Sequence, residues 1–107
     1  MFNAENKLTI LAIGAHGDDI ELACGGTLAK AVSKGHQVIM VVVTGKDSKD
    51  HKNVSIRENG SAEKEAKAAA KILGVSKLII LGYEDTLVPY SADLIGNLDD
   101  IMNQYKP

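Results

Sequence analysis

The chain has 107 residues, of which 45% are hydrophobic and 24% charged, with a formal net charge of −2 and a pI near 5.9. That is one domain's worth of ordinary globular material, neither disordered nor collagen-like in composition. A slightly acidic chain offers no basic field to nucleic acid or anionic lipid, and apolar runs such as residues 38–43 fall far short of the ~20 residues of a membrane span.

Residues 8–15 are almost continuously apolar and rich in β-favouring side chains, which predicts a strand buried on both faces. After it Ile20, Cys24, Leu28, Ala31 and Val32 recur at helical spacing, closed by Lys34 and Gly35 as a C-terminal cap. Inside that helix Gly25 and Gly26 each cost about 1 kcal/mol relative to Ala, so the pair points to close packing or to a ligand against the backbone. Residues 37–44 predict a second buried strand, and the polar stretch 45–53 a loop. A second helix carries the stripe Ala62, Ala66, Ala69, Ala70 and Leu73 and ends at Gly74. Residues 77–81 predict a third strand and 82–86 a loop, and Ser91 caps a last helix bearing Leu94, Leu98, Ile101 and Tyr105.

The order βαβαβα makes the fold class α/β: a single domain over 1–107, with a Rossmann-like parallel sheet and helices on both faces. Ligands of such sheets sit at the carboxyl ends of the strands. The loops that start at Ala15, Gly45 and Gly82 therefore share one rim, and His36 falls at the opposite edge. The polar segment 1–7 is not signal-like, and the single cysteine, Cys24, makes no internal disulfide; both lead us to expect a cytoplasmic protein.

His16, Asp18 and Asp19 stand on that rim at the mouth of the first helix. An imidazole nitrogen and one carboxylate oxygen suit a borderline metal such as Zn²⁺, while the second carboxylate stays available as a base. Zinc lowers the pKa of a bound water to about 7, and Asp18 can take the proton as the water attacks an acyl carbon. Asp at a helix start also caps the helix, which accounts for one of the two aspartates. It does not account for a histidine and two aspartates together.

The run Ala15-His16-Gly17-Asp18-Asp19-Ile20-Glu21, followed by Gly25-Gly26-Thr27-Leu28-Ala29, resembles the LmbE-like or PIG-L-type deacetylases, whose hallmark is Ala-His-Pro-Asp-Asp-Glu before a Gly-Gly-Thr-Leu-Ala stretch. The likeness continues through Gly35-His36-Gln37-Val38, Val43-Thr44-Gly45, Leu73-Gly74-Val75 and Leu81-Gly82-Tyr83-Glu84-Asp85. It implies a zinc-dependent hydrolase that deacetylates N-acetylglucosamine-type sugars or related conjugates, with His16 and Asp19 as ligands and Asp18 as general base. Here Gly17 stands for the family's Pro, and Ile20 displaces its Glu to Glu21. The family's third zinc ligand and oxyanion-stabilising histidine come from a His-rich motif after the next strand, so we expect the chain to be the N-terminal part of a longer enzyme.

Among the remaining residues, Arg57 precedes the second helix, where the family often has an arginine that contacts substrate, though with a longer spacing to Leu73-Gly74 than the family's, and an Arg there can also be simply solvated; Asp85 in the third rim loop can bind a sugar hydroxyl or close its own turn. His51 lies in a rim loop, but a lone loop histidine is a poor third ligand. Two other readings stand beside the enzyme. One is a nucleotide-binding module, disfavoured because residues 14–19 lack Gly-x-Gly-x-x-Gly and bring two aspartates to the helix mouth. The other is a non-catalytic scaffold. A short sheet with an apolar edge also leads us to expect self-association into a homo-oligomer.

Overall fold

The structure, a computed structural model, describes residues 6–44, 52 and 60–107. Its elements run β1 (Thr9–Gly14), α1 (Gly17–Ser33), β2 (Gln37–Val42), α2 (Ser61–Leu73), β3 (Lys77–Ile80) and α3 (Ala92–Tyr105). The three strands form one parallel sheet in the order β1-β2-β3, the α/β Rossmann-like architecture expected.

β2 is central, and its Val38 to Val42 are all buried. Strand alternation sends Val38, Met40 and Val42 into a cluster with Ile20, Leu28 and Ala31 of α1 and Ala70 of α2. Ile10, Ala12, Leu78 and Ile80 of the flanking strands pack against that cluster. Both α1 and α2 therefore lie over the same face and touch each other. On the opposite face Ile39 and Val41 are also fully buried, whereas Ile13 on β1 is exposed.

Helix ends fall where their chemistry dictates. Gly35 and Gly74 take the left-handed φ of +85° and +77° that stops α1 and α2, and Ser91 Oγ accepts the Leu94 N–H at 3.2 Å to start α3. The Gly25-Gly26 pair sits beside a break in α1, where Cys24 leaves helical geometry at φ −146°, ψ 18°. Gly25 is buried, with Leu73 4.0 Å from where a Cβ would stand, while Gly26 faces open space. Close packing thus explains one glycine of the pair, and the kink lies next to both. His36 lies at the amino-terminal edge of the sheet, where its Nδ1 accepts the Leu8 N–H at 3.0 Å and ties β1 to β2.

Candidate active site

The first strand-to-helix turn is built around a close approach. A Cβ on Gly14 would lie 2.8 Å from Ile20 Cγ1 and 3.3 Å from Asp19 Cβ, so any larger residue would push the start of α1 off the strand. His16 is the N-cap residue, with extended φ −123° and ψ 163°. The Asp19 carboxylate accepts the His16 backbone N–H at 2.8 Å, which satisfies one donor and puts negative charge at the positive end of the helix. The same turn sets Asp19 Oδ2 3.6 Å from His16 Nδ1. Asp18, also in the first turn, is exposed at the rim.

The neighbouring rim loops are zipped to this turn. Thr44, buried just beyond β2, donates from Oγ1 to the Ala15 carbonyl at 2.7 Å and from its N–H to the same oxygen at 3.1 Å. The ladder then passes to the third loop, since Leu81 N–H bonds Val42 O at 2.9 Å and Tyr83 N–H bonds Val43 O at 3.1 Å. Gly82 turns that loop with φ +83°. Its far side is held to α3 by the Tyr83 hydroxyl, which donates to Asp93 and accepts from Asn97 Nδ2 at 3.0 Å. The result is that Asp85, with a side chain only 11% exposed, sets Oδ1 2.7 Å from Nε2 of His16, whose side chain is 44% exposed.

These contacts set the electrostatics. The hydrogen bond to Asp85 raises the His16 pKa above its usual value; burial opposes the rise, and the charges of Asp85, Asp19 and Asp18 add to it. Burial lifts the Glu21 carboxyl above its ordinary range, with smaller contributions from Asp18 and Glu65. Glu21 lines a shallow groove of about 310 Å³ between α1 and α2, together with Gly25, Gly26, Ala69, Ile72 and Leu73.

Of the residues singled out in the sequence, His16, Asp18, Asp19 and Asp85 share the carboxyl-end rim. Arg57 and His51 lie outside the described residues. Sequence reasoning missed Thr44 and Tyr83 as the braces of this rim. The signal for Thr44 was present, as a polar residue ending an otherwise apolar strand. The pairing of His16 with Asp85 joins positions 69 apart, and no local pattern announces it.

The donor pair suits a metal. Ligands about 2.0–2.2 Å from a tetrahedral zinc stand about 3.4 Å from one another, close to the 3.6 Å between His16 Nδ1 and Asp19 Oδ2. Among the described residues no group of three His, Cys, Asp or Glu side chains gathers to hold a metal. Also among the described residues, no helix is long and apolar enough to cross a membrane.

A family model described as PIG-L, GlcNAc-PI de-N-acetylase, matches residues 11–107. The uncharacterized deacetylase YaiS of Escherichia coli K12 is 38% identical over 106 residues, which cover 98% of this chain and 54% of that protein. A diacetylchitobiose deacetylase from Thermococcus kodakarensis is 31% identical over 108 residues, 99% of this chain and 40% of that protein. Among solved structures, the N,N'-diacetylchitobiose deacetylase from Pyrococcus horikoshii, complexed with its inhibitor MPG, superposes with a TM-score of 0.77 at 31% identity, covering 92% of this chain and 38% of that one. The chain thus spans about half the length, or less, of these relatives.

Proposed function

The chain belongs to the PIG-L family of GlcNAc-PI de-N-acetylases, and from that premise we propose that it carries the water-activating half of a zinc-dependent N-deacetylase site. The observation that carries this reading is the His16 Nδ1 to Asp19 Oδ2 separation of 3.6 Å, with Asp18 beside them on the open rim. His16 and Asp19 are the residues that would hold zinc. When bound, the metal supplies a Lewis acid that lowers the pKa of a water and polarises the acyl oxygen.

The chain's own residues then divide the labour. The Asp18 carboxylate accepts the proton of the water as the water's oxygen bonds the acetyl carbon. Collapse of the tetrahedral adduct breaks the C–N bond, and the amine leaves with a proton returned to its nitrogen. Water and amide are converted to acetate and the free amine. Asp19 is held for its part by the bond from the His16 backbone N–H, and the close approach at Gly14 keeps the helix mouth against the strand.

We assign as substrate an N-acetylated amino sugar of the N-acetylglucosamine type or a related conjugate, supported by the two diacetylchitobiose deacetylases among the relatives. Arg57 is assigned to substrate contact from its place before the second helix, where the family often has an arginine. We place the protein in the cytoplasm, in keeping with the free thiol of Cys24.

The test is acetate release from N,N'-diacetylchitobiose by the whole protein, with zinc content measured on the same samples. The whole protein is expected to be active and to contain zinc. Asp18→Asn is expected to keep the metal and to lose about 10²–10⁴-fold in turnover. Parent-like activity in Asp18→Asn would remove Asp18 as the base.

A further inference from the structure

We propose that Asp85 is a positioning residue for His16: its carboxylate accepts the Nε2–H of the ring, so that Nδ1 is the lone-pair nitrogen turned toward Asp19. An ionised carboxylate only accepts hydrogen bonds, and neutral imidazole carries one proton. With Asp85 Oδ1 2.7 Å from Nε2, that proton belongs on Nε2. The opposite ring nitrogen is the one 3.6 Å from Asp19 Oδ2, the spacing of two ligands on one ion. A carboxylate behind a ligating imidazole fixes the ring's tautomer and orientation and raises its basicity as a donor.

The surroundings are arranged for this task. Asp85 is buried, in a loop pinned on one side by Tyr83 N–H to Val43 O at 3.1 Å and on the other by the Tyr83 hydroxyl to Asp93 and Asn97 of α3. The half-exposed His16 ring therefore takes its direction from a carboxylate fixed by two other elements. The metal arm of this assignment rests on the zinc reading above.

Two measurements on the protein test it. The first needs no metal: ¹⁵N NMR of the ring nitrogens in metal-free protein, at a pH where His16 is neutral, is expected to show the Nε2–H tautomer in the parent and a mixture in Asp85→Ala. The second is zinc titration calorimetry, in which Asp85→Ala is expected to bind about 10–100-fold more weakly. Asp85→Asn, whose amide oxygen still accepts the Nε2–H, is expected to recover much of that loss, and it serves as the folded comparison if the alanine variant unfolds. An Nδ1–H tautomer in the parent overturns the proposal. So does a raised KM in Asp85→Ala with tautomer and zinc affinity unchanged, which would make Asp85 a substrate contact. A parent that binds no zinc yet shows the Asp85-dependent Nε2–H tautomer sinks the zinc reading and upholds the assignment of the ring.

Discussion

Replacing Gly17 with proline is expected to stabilise the protein, although it puts the most restrictive residue at the mouth of the candidate site. Residue 17 is the first of α1, where the backbone N–H has no intrahelical acceptor and proline's fixed φ suits the helix. The residue before a proline must be extended, near φ −120° and ψ +120° to +160°, and His16 already stands at φ −123° and ψ 163°. A Cβ at position 17 would meet Ala66 Cβ at 3.4 Å, an ordinary contact. The gain comes from the unfolded chain, which loses the freedom of a glycine, and amounts to about 1 kcal/mol. With an unfolding entropy near 2.1 cal/mol/K per residue, that is a rise of about 4 °C in Tm for a chain of 107 residues. Thermal unfolding followed by circular dichroism reads it directly. A Tm below that of the parent would show that the turn is not in the proline-ready conformation, and with it the placement of His16 would fail.

Other outcomes follow from the same geometry. In metal-free protein, the folded-state pKa of His16 is raised chiefly by the hydrogen bond to Asp85. Its stabilisation is therefore complete below the unfolded value of about 6.5 and is lost as pH rises through the folded value; Tm against pH should fall through that window in the parent and flatten in Asp85→Asn, and parallel profiles would contradict the pairing. Met40→Ala empties a fully buried site at the middle of β2 and should cost about 2–5 kcal/mol in chemical denaturation; a loss under about 1 kcal/mol would mean that this strand is not central. Gly74→Ala should cost about 1–2 kcal/mol in the same assay, because φ is +77° and the new Cβ would lie 3.0 Å from Val32 Cγ1; a neutral result would contradict the left-handed cap. Tyr83→Phe removes the bonds to Asp93 and Asn97 and should weaken zinc binding through Asp85 with little change in fold; affinity equal to the parent's would show that α3 does not brace the rim.

Much of the fold was legible because its signals are local. Continuous apolar runs marked β1, β2 and β3 to within two residues at each end, and Gly35, Gly74 and Ser91 marked helix limits through backbone and capping preferences that act within one turn. The parallel order alone places His16, Asp18 and Asp19 on one rim and His36 at the far edge. What sequence could not supply was side-chain pairing across elements. Nothing near Asp85 says that it reaches His16, and nothing near Tyr83 says that it leans on α3, since both contacts depend on how the sheet brings its loops together. The kink at Cys24 was likewise out of reach: the Gly25-Gly26 pair reads as close packing or a ligand against the backbone, and only Gly25 packs.

The proposed joint ligation of one zinc ion by His16 and Asp19 is tested most directly by zinc titration calorimetry of the parent, His16→Ala and Asp19→Ala in one buffer. One ion per chain is expected in the parent and a loss of affinity of at least about 100-fold in each variant, with Asp18→Asn close to the parent. Equal zinc affinity in the parent and His16→Ala would contradict joint ligation.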